Sequence, residues 1–97
     1  MKKVSNKQRM INNTLSKIKK TLPNRCAICG GYGNDLAHIL PRSLYPEYQI
    51  NPDNLMILCR SCHVLFDNYK SFRKEQKEII NRAKAIDANA TNRYFDL

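Results

Sequence analysis

Apolar positions recur along the first part of the chain at steps of seven, four, three and four: Val4, Ile11, Leu15, Ile18 and Leu22. Those steps keep side chains on one face of an α-helix. The spacing predicts an amphipathic helix over residues 5–21, ended by Pro23 and Asn24. The period then changes. "DLAHIL" (residues 35–40) alternates and is stopped by Pro41, which predicts a strand, and "LMILC" (55–59) is a continuous apolar run that predicts a short buried one. "SLYPEYQINPDN" (43–54) lies between them, and its prolines and turn formers predict a compact loop. From Arg60 a helical pattern returns, with Leu65, Phe66 and Tyr69 available for packing. A further helix is expected over residues 70–89, where Phe72, Ile79, Ala83 and Ile86 form a stripe. "NATNRYFDL" reads as a loosely held tail that Tyr94, Phe95 and Leu97 could dock on the core.

These elements predict one small α+β domain, with no internal linker and no repeat other than a pair of cysteine motifs. At 97 residues, such a domain buries little surface, and a metal or disulfides are expected to supplement its core. No apolar run approaches the ~18 residues of a membrane span, so a soluble protein with no membrane partner is expected. "MKKVSNKQRM" has the lysines of a secretory signal but polar residues in place of its apolar segment. A cytoplasmic location, in which thiols stay reduced, is the expectation. The four cysteines form two C-x-x-C pairs, "CAIC" (Cys26, Cys29) and "CRSC" (Cys59, Cys62). Two such knuckles can give four thiolates to one tetrahedral Zn²⁺. Disulfide pairing and a redox C-x-x-C are the alternatives, although a redox site needs one pair and leaves the other unexplained. Structural zinc contributes roughly 10–16 kcal/mol in apparent terms, enough to decide whether a domain of this size folds. The glycines of "CGGYG" suit the tight turn of the first knuckle.

The net charge is +9, and its distribution is uneven. Eight of the 17 basic residues fall in the first 25 positions, which contain no acid; the remaining nine face all eight acids. Lys17, Lys19, Lys20 and Arg25 belong to that basic segment. A basic helix of this kind suits contact with the phosphates of DNA. A solvated face or a membrane-surface helix has the same composition. Arg42 and Arg60, further on, are candidates for clamping phosphate.

Two histidines complete the pattern. His38 ends the first strand, His63 follows the last cysteine, and Asn54 stands between them. The order His38, Asn54, His63, flanked by "CAIC", "AHILPRS", "NPDNLMILC" and "CRSCH", resembles the HNH (His-Me finger, ββα-metal) endonuclease family in its four-cysteine form. The matching motifs cover residues 26–67. The resemblance implies a zinc-stabilised ββα-metal core over residues 26–69. A basic N-terminal helix (1–25) and a C-terminal helix and tail (70–97) would flank it in a single domain. It also implies a metal-dependent DNA endonuclease of bacteria or phage-infected cells, which nicks DNA or cuts both strands to leave a 5′-phosphate. A dimer would suit double-strand cleavage.

The chemistry of the residues agrees with that implication. Neutral imidazole accepts a proton near pH 7, so His38 is the candidate general base. On a helix His63 and Asp67 are i and i+4, so they share a face and could hold Mg²⁺, Mn²⁺ or Ni²⁺, the carboxylate favouring the harder ions. Asn54 would orient the loop through side-chain to backbone hydrogen bonds, as a supporting member of the catalytic set. Many family members carry a ligand directly before the first histidine, where this chain has Ala37. Asp35 is a candidate replacement ligand, but its odd offset from His38 on a regular strand directs the two to opposite faces. The competing readings are a catalytically inactive, zinc-stabilised DNA-binding module, which Ala37 favours, and an RNA-binding zinc ribbon, for which the few aromatics give little support.

Overall fold

The computed structural model describes residues 6–97. Helix α1 spans Asn6–Thr21, matching the predicted helix over the described positions. The first residue of that prediction, together with Val4, Lys2 and Lys3, lies outside the described residues. Lys19 and Lys20 occupy its last turn, where positive charge complements the helix dipole. Of its apolar stripe Leu15 is buried, while Ile11 and Ile18 are half-buried.

Strands β1 (Asp35–His38) and β2 (Leu55–Leu58) form an antiparallel hairpin, with Asp35 opposite Leu58 and His38 opposite Leu55. All four residues of β2 are buried, as its continuous apolar run required. The first strand is two residues shorter than predicted, because Ile39 and Leu40 turn inward. Their amides donate to the backbone oxygen and side-chain Oδ1 of Asn54, and both side chains are fully buried. The 41–54 loop contains two single 3₁₀ turns, Pro46–Tyr48 and Pro52–Asn54. Helix α2 (Arg60–Asn68) follows β2 at once, with Cys59 as its N-cap.

The C-terminal region departs from the predicted single helix and loose tail. It forms three helices, α3 (Lys70–Lys74), α4 (Lys77–Ile86) and α5 (Ala88–Phe95). The chain leaves helical geometry at Gln76 and becomes extended at Asp87. The Asp87 carboxylate accepts from the Ala90 amide at 2.9 Å, a capping bond that starts α5 where the longer helix was expected to end. The tail is therefore structured. Phe95 is fully buried edge-on against Phe66 of α2, with ring centroids 6.0 Å apart, whereas Leu97 stays exposed. The resulting architecture is a small α+β fold: a two-stranded hairpin and α2 form the ββα core, and α4 and α5 close the apolar cluster that includes Ala37, Leu58, Phe66, Ile80 and Phe95. Among the described residues no helix is long and apolar enough to cross a membrane.

One glycine sets how closely the two cysteine knuckles approach. A Cβ on Gly33 would lie 2.9 Å from the backbone of Leu58 and Cys59. Backbone cannot yield there as a side chain could, so Gly33→Ala is expected to destabilise the fold by about 1–3 kcal/mol. The thermal midpoint of the metal-loaded protein would fall by roughly 4–8 °C per kcal/mol. Gly31→Ala is the control, since its Cβ would meet only Cys29 Sγ, at 3.6 Å, and it should melt close to wild type.

Candidate metal centre and active site

The hairpin and α2 bring the two cysteine pairs together. The Sγ atoms of Cys26, Cys29, Cys59 and Cys62 all lie within 4.8 Å of one another, and those of Cys29 and Cys59 are 3.8 Å apart. A tetrahedral ion with metal–sulfur bonds of about 2.3 Å sets sulfur–sulfur edges of about 3.8 Å, so the four residues fit one metal ion. Each knuckle turns an amide onto its own first sulfur: Cys29 N donates to Cys26 Sγ and Cys62 N to Cys59 Sγ, both at 3.4 Å. Gly30 takes the left-handed conformation (φ +76°) that closes the first turn. Burial works against the Cys26 thiolate, but amide bonds from Cys29, Cys59 and Ile28 outweigh it and bring the thiol down to about 6. Burial pushes the Cys62 thiol up, and the neighbouring sulfurs add to the effect.

The same residues start α2. Cys59 is the N-cap, and its carbonyl accepts the amide of His63 at 2.9 Å. This fixes His63 in the first turn beside Asp35, which pairs with Leu58 at the end of the hairpin. His63 Nδ1 stands 3.0 Å from Asp35 Oδ2, and Nε2 stands 3.1 Å from Asp67 Oδ2. The Asp35 carboxyl is held below its usual range, first by this bond to His63, with the charges of Arg60, His63 and Lys19 adding. Both ring nitrogens of His63 thus face a carboxylate; with an ion bound at Nε2, the Asp35 carboxylate would hold the ring proton on Nδ1. Adjacent donors around an octahedral ion with bonds of about 2.1 Å are about 3.0 Å apart, so Nε2 and the Asp67 carboxylate fit a divalent ion. Asp35 lies on the opposite edge of the ring from Asp67. There its carboxylate meets His63 Nδ1 and Arg60.

His38 lines one cavity together with His63 and Asp67. Leu36, His38, Arg42, Ser43, His63 and Asp67 are among the residues lining a space of about 550 Å³, to which α1 contributes Leu15 and α5 contributes Tyr94. His38 Nε2 is 2.9 Å from the backbone oxygen of Gln49. A carbonyl can only accept, so Nε2 carries the proton and the neutral ring has its free lone pair on Nδ1. Burial lowers the His38 pKa below the ordinary histidine value; the positive charges of Arg42 and His63 lower it further, while the Gln49 carbonyl and Asp67 oppose them. Asp35 does not line the cavity, in keeping with its odd offset from His38.

Asn54 holds the loop that presents the Gln49 carbonyl. Fully buried, it accepts from Leu40 N at 2.8 Å through Oδ1 and donates from Nδ2 to the carbonyls of Leu40 (3.0 Å) and Tyr48 (3.2 Å). The C-terminal helices brace the same loop, a role the sequence did not reveal. Tyr48 donates its hydroxyl to Asp87 Oδ2 at 2.7 Å, a bond that pushes the phenol up to about 12. Arg82 of α4 donates to the carbonyls of Asp53 and Leu55. Arg73 of α3 donates from Nη1 to the carbonyls of Phe66 and Asp67, at 2.7 and 3.1 Å, and so steadies the end of α2 that carries Asp67.

Of the six basic residues considered for DNA contact, Arg42 lines the cavity. Lys19 lies near enough to lower the pKa of Asp35, and Lys17 and Lys20 are exposed on α1. Arg60 is paired with Asp35 at 3.2 Å. Arg25 lies beside the first knuckle, its side chain near Gly30, in a different cavity that includes Cys26 and Ile28.

Asn54→Ala would strand the buried Leu40 amide. The variant is expected to lose about 1–3 kcal/mol of stability and to speed amide exchange at Leu40 well beyond that of the β2 amides, which hydrogen-exchange measurements can resolve. Uniform exchange across the loop and β2 would show that Asn54 does not pin this loop.

Comparison with known proteins adds one result. Residues 26–71 match the sequence model of the HNH endonuclease family. The matched segment runs from the first knuckle through α2 to the start of α3 and bears out the resemblance read from the motifs; α1, α4 and α5 lie outside it. No curated protein and no solved structure gives a match.

Proposed function

We propose that the HNH-family segment of this chain acts as a metal-dependent DNA endonuclease, with all 97 residues forming one functional unit. The observation that carries this reading is the cavity itself. His38, whose Nε2 is taken up by the Gln49 carbonyl, lines the same cavity as an imidazole nitrogen and a carboxylate 3.1 Å apart. A phosphodiester between them receives water from the His38 side. His38 Nδ1 takes the water proton as the oxygen attacks phosphorus, the bond to the leaving oxygen breaks, and the imidazolium charge is shared with the Gln49 carbonyl. General-base assistance of this kind is worth typically about 10²–10⁴-fold. His63 and Asp67 would hold a Mg²⁺ or Mn²⁺ ion, or Ni²⁺ in vitro, which when bound would supply charge stabilisation for the phosphoryl and leaving oxygens. Asp35 orients His63, Asn54 fixes the loop behind His38, and Arg42 attracts the phosphate. Zn²⁺ is the ion assigned to the four cysteines. The basic face of α1 provides non-specific affinity for DNA, and the reduced cysteines suit the cytoplasm of a bacterial or phage-infected cell.

A zinc-stabilised DNA-binding module is the second reading. Ala37 supports it, because the side chain at that position is buried in the core cluster and presents no ligand to the cavity.

Supercoiled plasmid with Mg²⁺, Mn²⁺ or Ni²⁺ separates the two. The endonuclease nicks it, and His38→Ala loses at least about 10²-fold in rate while retaining zinc content and DNA binding; binding without nicking under every ion would leave only the module. Because burial lowers the His38 pKa and only its neutral form is active, nicking should rise with pH to a plateau. The midpoint of this limb should lie below about 6.5. Arg42→Gln removes a positive charge that disfavours the imidazolium, so its limb should move to higher pH.

Asp35→Asn tests the orientation of His63. Affinity for Mn²⁺, followed by titration calorimetry, is expected to fall about 10–100-fold with one zinc per chain retained. Unaltered Mn²⁺ affinity would remove Asp35 from the site.

A further inference from the structure

A second cavity, of about 410 Å³, adjoins the first and shares Tyr94 as a wall. Lys70, Arg73 and Arg93 line it together with Leu44 and Tyr45, and no carboxylate does. Lys70 and Arg73 share a face of α3 at i and i+3, and Arg93 reaches the same space from α5. Lys70 and Arg93 are exposed, and neither belongs to an ion pair among the described residues. Arg73 is only 7% exposed. Its guanidinium is met by two carbonyls and by the face of Tyr94, 4.2 Å from the ring centroid, and its Nε has no hydrogen-bond partner among the described residues. A buried guanidinium met by dipoles and by no carboxylate is a positive charge in a poorly solvated place, and the two exposed cations beside it add to that field.

We propose that this second cavity holds the phosphodiester backbone of the DNA strand next to the phosphate positioned at His38. Lys70 and Arg93 make the contacts, and buried Arg73 supplies fixed positive charge behind them. The charge complementarity favours an anion, and the wall that Tyr94 shares with the first cavity favours a polymer that passes both spaces over a small solitary anion. The identity of the strand as substrate rests on the endonuclease reading. The electrostatic subsite does not depend on it. The binding path would then run from the basic face of α1, past Arg42, to α3 and α5, so α1 and α5, which lie outside the family-matched segment, participate in DNA recognition.

The test measures binding of a labelled duplex across a salt series in the His38→Ala background, where cleavage does not interfere. Lys70→Gln/Arg93→Gln should reduce the slope of log K against log salt by about 1.8, the loss of two phosphate contacts at about 0.9 each. Lys74→Gln/Lys84→Gln makes the same change in net charge at residues that line neither cavity, and should reduce the slope by much less. An unchanged slope in the first pair, or equal reductions in both, would overturn the inference. So would inorganic phosphate at low millimolar concentration abolishing the difference between the pairs, since the cavity would then be selecting a free anion. Nicking by the unaltered protein is scored separately. A reduced slope without nicking upholds the subsite and sinks the endonuclease reading; nicking with an unchanged slope does the reverse.

Discussion

The convergence of four sulfurs from two distant knuckles is the constraint on which the rest of this structure depends. The hairpin has only four residues per strand, and isolated two-stranded hairpins are marginally stable in water. What holds α2 against it is a joint in which Cys59 is at once a member of the sulfur cluster and the N-cap of the helix. Helix direction, the placement of His63 in the first turn and the reach of Asp67 one turn later all follow from that joint. Gly33 allows it to close, since the first knuckle lies directly on the backbone between β2 and α2.

A second layer of constraint acts on the long loop. Left to itself, a segment with two prolines and few buried side chains would sample many conformations. Here Asn54 ties its two ends together in the core, and Tyr48 ties its middle to the cap of α5. The outcome of both ties is a backbone carbonyl held against one nitrogen of His38. Which nitrogen of that histidine is left free is thus selected by main-chain geometry, and the C-terminal helices, which contribute Tyr94 to the cavity, brace the loop from behind.

The parts of this arrangement that were legible in the sequence are those with a local period or a fixed spacing. The steps of the apolar stripe marked α1, alternation marked β1, the run "LMILC" marked β2, and the two C-x-x-C pairs marked the metal centre. His63 and Asp67 were readable as neighbours because i and i+4 on a helix are neighbours. Asp35 against His63, Tyr48 against Asp87 and Arg73 beneath the end of α2 were not. The first two join residues 28 and 39 positions apart, and Arg73 looks like any cation on a charged helix until its burial is known. The break at Asp87 did have a local signal, an aspartate ahead of a short amphipathic run, but the continuing stripe of Phe72, Ile79, Ala83 and Ile86 obscured it.

The dual role of Cys59 ties the fate of the His63–Asp67 pair to that of the sulfur cluster. A change that disconnects this one side chain, whether demetallation or oxidation of its sulfur, also frays the first helical turn and releases the imidazole at position 63. Damage to the cluster and displacement of the His63–Asp67 pair should therefore coincide.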